Sequence, residues 1–257
     1  MDDPIVVTSD DGTTLRFLRA GAGRPVVLVH GTMGCKEDWS EVARRLSTDF
    51  EVNTFDRRGR GGSADGPDYS IGREVEDVLA VIDVCEPPVH LVGHSFGAIV
   101  SLLVATQAAD RIDKLVLYEP PVGEGHPAAN EWLDQLDTMV ATGDLDTAVE
   151  MFAVAANLTD EELQTHQSKD QVWTALRDAV RTAGREIRAA KAVLPIEEAV
   201  LRSISNPTLV LLGAEQDHPT YGGVKDLADQ LPFGSLERVP GHHLALVFAP
   251  DAFTAAI

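Results

Sequence analysis

The sequence predicts an α/β fold: a mostly parallel sheet with helices on both faces, interrupted by an inserted helical segment. Three observations carry this. From residue 26 to residue 120, apolar runs of strand length alternate with helical patterns. Over residues 121–205 only helical patterns occur, and strand character returns at Pro207. Between them, Val89-His90-Leu91-Val92 runs through Gly93-His94-Ser95-Phe96-Gly97 straight into the apolar Ala98-Ile99-Val100, a strand, tight turn and helix with no loop.

Taken in order, residues 5–8 and 13–18 read as a hairpin around the turn signal Asp10-Asp11-Gly12. Residues 21–25 read as a loop. Val26-Val27-Leu28-Val29-His30 is a continuous apolar run, expected of a strand buried on both faces. It opens into Gly31-Thr32-Met33-Gly34 and an amphipathic helix near 39–46. A strand at 52–55 ends in the glycine-rich loop Asp56-Arg57-Arg58-Gly59-Arg60-Gly61-Gly62-Ser63. The spacing of Val75, Val78, Leu79 and Ile82 predicts a helix over 73–84, stopped by Pro87 and Pro88. A buried strand at 114–118 ends at Glu119-Pro120-Pro121. The insertion shows helical patterns at 130–142, 144–156, 160–167 and 171–193, with Asp144 placed to N-cap the second. A strand at 207–213, a helix at 224–231, a short strand at 236–239 and a last helix complete the chain. The expected division is a core of residues 1–120 and 206–257 with a helical cap of residues 121–205.

Composition narrows the function classes. There are 41 acidic residues against 21 basic ones, a formal net charge of −20, spread along the whole chain. Such a surface repels nucleic acid and anionic membranes. It fits a proteome adapted to high salt and an ordinary acidic one equally. No apolar run is long enough for a transmembrane helix, and Met1-Asp2-Asp3-Pro4 is acidic where a signal peptide is basic. Cys35 and Cys85 are too few for a disulfide framework and lack metal-ligand spacing. The expectation is a soluble, cytoplasmic protein with neither metal nor cofactor.

The chemistry centres on Ser95. At such a turn a non-glycine residue is strained, and its hydroxyl projects beyond a strand's C-terminal end at a helix N-terminus, where N–H groups favour negative charge. A serine needs a base. Val239-Pro240-Gly241-His242-His243 supplies two adjacent histidines, of which geometry allows one to reach Ser95. His90, His94, His126, His166 and His218 read as core or surface residues, and His30 as structural. A carboxylate should orient the imidazole. Glu119 ends a parallel strand at the same sheet edge, and Glu215 and Asp217 hold the other plausible position. Oxyanion donors would be the N–H of Phe96 and that of Thr32, or of Met33 if the turn is shifted. Met33, Trp39, Trp132, Phe152 and Trp173 are candidates for the substrate pocket, although aromatic residues at helical spacing also suit a plain core.

With these residues in place the chain resembles the α/β-hydrolase-fold serine hydrolases over nearly its full length. The resemblance rests on the His-Gly after residues 26–29, the Asp-Arg-Arg-Gly-Arg-Gly-Gly-Ser loop, the Gly-His-Ser-Phe-Gly elbow, Leu117-Tyr118-Glu119-Pro120-Pro121, and residues 240–253. It is closest in kind to an uncharacterised subgroup with Leu-Tyr-Glu-Pro-Pro after the sixth strand. The resemblance implies an eight-stranded, mostly parallel sheet, a cap inserted after the sixth strand, and a Ser-acid-His triad in that order. Most relatives place the acid three residues past the glycine ending the seventh strand, which here is Gln216 and cannot serve. Some place it after the sixth strand, 24 residues past the nucleophile, and 119 − 95 = 24 favours Glu119 over Asp217. The turn before the histidine is one residue tighter than usual, and counting back seven from Pro250 selects His243. The implied activity is hydrolysis of a carboxylic ester through an acyl-enzyme on Ser95, with a small-molecule acyl substrate. C–C hydrolysis, lyase or perhydrolase chemistry, or a silent ligand-binding role, stay open at this point, as does the oligomeric state.

Overall fold

A computed structural model describes residues 5–123 and 130–257. Met1–Pro4 and His126 therefore lie outside the described residues. Eight strands, β1 (Ile5–Thr8), β2 (Thr14–Ala20), β3 (Arg24–Val29), β4 (Phe50–Phe55), β5 (Val89–His94), β6 (Ile112–Tyr118), β7 (Thr208–Gly213) and β8 (Gly234–Val239), form one sheet in the order β1-β2-β4-β3-β5-β6-β7-β8. Only the β1–β2 and β2–β4 pairings are antiparallel. The predicted hairpin is present: Asp11 Oδ1 accepts the Thr13 N–H at 2.9 Å, and Gly12 takes φ +85°. β3 begins inside the segment read as a loop, because Arg24 and Pro25 already pair with Phe50 and Glu51.

Around the sheet lie α1 (Ser40–Leu46), α2 (Ile71–Asp83), α3 (Phe96–Gln107), and, between β6 and β7, α4 (Asn130–Thr142), α5 (Leu145–Ala155), α6 (Asp160–Gln167), α7 (Asp170–Lys191) and α8 (Glu198–Leu201). After β7 come α9 (Val224–Gln230), α10 (Ala245–Phe248) and α11 (Pro250–Ala256). Strand alternation sorts the core into two layers. Val27, Val29, Leu91 and Leu117 pack with α2, α3 and α9, while Val26, Leu28, Val92 and Tyr118 pack with Trp39, Val42 and Phe253.

The helical insertion builds a small second core, Leu136, Ala148, Val149 and Val180 among others, which also takes in Met33 from the loop after β3, with Trp132 and Trp173 packed against it. Asp144 sits at the N-cap of α5, but its side chain makes no capping bond. At φ −79° and ψ 63° its backbone is not in the extended form that aims a side chain at the first turn. α6 is capped instead by a Thr159/Glu162 capping box. The insertion is tied to the sheet by charge. Glu186 of α7 takes Arg57 at 2.5 Å and also Arg60, and Arg185 pairs with Asp65. No helix among the described residues is long and apolar enough to cross a membrane.

Candidate active site

β5 runs into α3 with Ser95 as the only residue between them, at φ 53° and ψ −120°. The surroundings leave no alternative to glycine on either side. A Cβ on Gly93 would stand 2.4 Å from the Gly97 carbonyl, and one on Gly97 would stand 2.5 Å from the Val29 and His30 carbonyls. The strained backbone is fixed by hydrogen bonds: Ser95 N–H donates to Tyr118 O at 2.8 Å, and Ser95 O accepts Ala98 N–H at 2.9 Å. Gly31 comes so close that a Cβ there would lie 2.9 Å from Ser95 Cβ. The loop that follows β3 thus lies against the serine. Within it Gly34 N–H donates to Gly31 O at 3.1 Å, and Met33 takes φ +61°.

Glu119, the residue after β6, is fully buried and takes φ +45°. Its Oε1 accepts the Gly213 N–H at 2.7 Å, and its Oε2 accepts His243 Nδ1 at 2.7 Å and Gln216 Nε2 at 3.0 Å. Because the carboxylate only accepts, His243 carries its proton on Nδ1 and leaves Nε2 as the basic nitrogen. His242 turns the other way, to Glu215 at 3.0 Å. Asp217 is exposed. The structure therefore joins Glu119 to His243 and leaves Asp217 outside the cluster.

Ser95, Phe96, Thr32, Met33 and His243 line one cavity of about 120 Å³, whose opposite wall comes from the insertion. Phe152, Val149, Leu163 and Leu176 from the insertion make that wall mainly apolar. No Lys or Arg lines it among the described residues. Asp38 does, and burial, together with the nearby carboxylates of Glu37 and Asp56, pushes its carboxyl up to about 6 against the Cys35 N–H that it accepts. Of the five residues named for the pocket, Met33 and Phe152 line the cavity, whereas Trp39, Trp132 and Trp173 do not. Trp39 lies in the opposite core layer, its ring 5.9 Å from that of Phe253. Trp132 packs on Phe152 from behind, and Trp173 bonds Asp146 through Nε1. Helical periodicity reports that a residue is buried, not which of two apolar interiors receives it.

His94 and His166, read from sequence as core or surface, line the cavity too. The His94 ring stacks on Tyr118 at 5.4 Å and lies 4.5 Å from His243; burial and that neighbour hold it well below the usual histidine range, so it is neutral. His30 is structural: Nε2 accepts the Arg57 N–H at 3.0 Å, which puts the ring proton on Nδ1, facing Gly31 O at 2.9 Å. Two contributors had no sequence signal. Gln216, dismissed as an acid, donates to Glu119, and Glu186 reaches the Arg57 guanidinium from 129 residues away. Among the described residues no group of His, Cys, Asp and Glu is arranged to hold a metal ion.

Comparison with known proteins follows the same lines. A family model described as the alpha/beta hydrolase family matches residues 26–256. The chain is 34% identical over 166 residues to N-formylmaleamate deformylase of Pseudomonas putida, a match spanning 60% of each chain. It is 27% identical over 139 residues to the esterase YbfF of Escherichia coli, covering 54% of this chain and 55% of that one. Each match thus spans a little over half of the curated relative's length. In three dimensions it is similar to an alpha/beta hydrolase of Sphaerobacter thermophilus, at TM-score 0.83 and 29% identity, over 98% of this chain and 99% of the other.

Proposed function

The chain belongs to the alpha/beta hydrolase family, and from that premise we propose that it is a serine hydrolase of uncharged carboxylic esters with a small apolar acyl group. The observation that carries the reading is the convergence of Ser95 and a Glu119-oriented His243 on one wall of an apolar cavity. In the proposed reaction His243 Nε2 takes the Ser95 proton as Oγ attacks the ester carbonyl. The resulting oxyanion is held by the N–H groups of Phe96 and of Thr32 or Met33. His243 then gives that proton to the departing alcohol as the C–O bond breaks. Water, deprotonated by the same nitrogen, releases the acid and restores Ser95. Glu119 stays ionised throughout and balances the imidazolium. The insertion acts as a cap that excludes water and sizes the acyl group.

The test is hydrolysis of a chain-length series of p-nitrophenyl esters. Ser95→Ala is expected to lower kcat at least about 10³-fold with the fold intact. Full activity in that variant sinks the reading. A carboxylate at the far end of the acyl chain should cost at least about 10²-fold in kcat/KM, because the cavity offers it no cation. A second reading, hydrolysis of an N-formyl amide, is favoured by the likeness to the deformylase. The same set of residues would serve it, with an amine in place of the alcohol. Formate release from N-formyl amides, absent with simple esters, would decide for it.

A further inference from the structure

We propose that Gln216 is a positioning residue for the catalytic acid, and that Asn157, at the end of α5, locks it, so that the cap sets the basicity of the His243–Glu119 pair. This rests on the proposed roles of Ser95, His243 and Glu119 and goes beyond them.

The argument begins with the direction of three hydrogen bonds. Gln216 Oε1 accepts Asn157 Nδ2 at 2.7 Å and the His218 N–H at 3.1 Å. With its oxygen occupied by two donors, the amide has one orientation, and its Nε2 must point at Glu119 Oε2. Gln216 is buried and does not line the cavity, so it reaches the reaction only through Glu119. The position demands an amide. A carboxylate there would face the Glu119 carboxylate in a buried site, and an apolar side chain would leave Oε2 one donor short. Asn157 belongs to the insertion and sits at φ +59°, a left-handed conformation that asparagine tolerates better than most residues. The chain of bonds therefore runs from the end of α5 to the imidazole without a gap: Asn157, Gln216, Glu119, His243.

The consequence is electrostatic. The Gln216 N–H stabilises the pair while it carries a net negative charge, with Glu119 ionised and His243 neutral. Removing that donor disfavours this state relative to the once-protonated pair, wherever the proton resides. The other titratable groups against the pair are His94 from β5, Tyr118 from β6 and Tyr221 from the turn before α9. Burial keeps His94 neutral and both tyrosines protonated, so they are silent across neutral pH.

The experiment measures pH profiles of kcat and KM, and the NMR titration of the His243 ring, in the wild type, Gln216→Leu and Asn157→Gly. Glycine suits the left-handed backbone, so the second variant removes only the side chain. In Gln216→Leu the acid limb and the ring titration should both move up by about one pH unit, with kcat near pH 7 down about 10- to 100-fold and KM within about twofold. Asn157→Gly should show the same signs with roughly half the shift. Unmoved ring titration in a folded Gln216→Leu protein overturns the proposal. So does a parallel change in kcat and KM with an unmoved limb, which is the mark of a merely structural contact. Because the ring titration needs no substrate, it reports on the relay even if no ester is turned over. Failure of the hydrolase reading and failure of this one are thereby distinguishable.

Discussion

Two clusters of buried charge lie close together, and they are built on different terms. Behind the loop that follows β3, Arg57 is fully buried, bonds Glu74 at 2.8 Å and Glu186 at 2.5 Å, and donates to Gly31 O at 3.2 Å. Next to it Arg58 grips Asp77 with two bonds of 2.7 Å. Each carboxylate there meets a guanidinium, whose charge cannot be titrated away. Among the described residues no guanidinium bonds Glu119. The carboxylate is held by amide donors and by an imidazole, which carries a charge only when protonated. The first cluster sets carboxylates against fixed guanidinium charge and holds elements together, although Arg57 Nε and Glu74 Oε2 are buried without a hydrogen-bond partner. The second is completed by a proton and has an open nitrogen beside a cavity. Burial of charge is common to both clusters; what differs is the counter-charge, a fixed guanidinium in one and an imidazole in the other.

The comparison can be broken at several points. The largest expected effect is on the titratable side: Glu119→Gln should lower kcat about 10³- to 10⁴-fold by losing the imidazole's counter-charge, measured on the best p-nitrophenyl ester. A drop under tenfold would make the Glu119 cluster structural as well. On the guanidinium side, Arg57→Leu should cost about 3–5 kcal/mol of stability by stranding Glu74 and Glu186, read from urea unfolding. A folded Arg57→Leu protein of normal stability would mean that the guanidinium is not what holds α7. A smaller effect belongs to Asp38, a half-buried carboxyl that no cation bonds among the described residues. Its folded pKa, about 6, lies above the ordinary 3.8, so the folded protein loses stability as pH rises through that window. Asp38→Asn does not titrate and should be more stable by about 1–2 kcal/mol above pH 7, with the advantage vanishing near pH 4. A pH-independent difference would remove Asp38 from the argument. Smallest of all, Asp217→Asn should change kcat/KM by less than about twofold, as expected of a solvated loop acid.

What the sequence disclosed follows the range of the interactions involved. The elbow was legible because its strand, serine and helix are contiguous, and the Gly97 carbonyl that dictates Gly93 lies four residues on, although the carbonyls that dictate Gly97 come from Val29 and His30. The place of Glu119 at the same sheet edge as Ser95 was legible too, since it directly follows the apolar run of β6. Four of the insertion's helices, α4 to α7, were placed within a few residues because each carries its own periodicity, whereas the one-turn α8 was too short to show any. What failed was anything decided by the third dimension. Trp39 and Phe152 look alike in a helical pattern, yet one faces Phe253 across the core and the other faces the cavity. His94 follows an apolar strand and reads as core, although its ring ends beside His243. Gln216 and Asn157 are 59 residues apart, and no local pattern pairs them.

The insertion leaves the sheet after Tyr118 and returns at Thr208, while Tyr118 and Leu211 are register partners in adjacent strands. The excursion is thus one long loop closed by a β-pairing. The entropy of closing such a loop grows only with the logarithm of its length, so doubling it adds about 0.6 kcal/mol. A longer or shorter cap hardly changes the cost of pairing β6 with β7, and the sheet that fixes Ser95, Glu119 and His243 is indifferent to it. The part of the molecule that walls the cavity opposite Ser95 is therefore the part whose length the chain can change most freely.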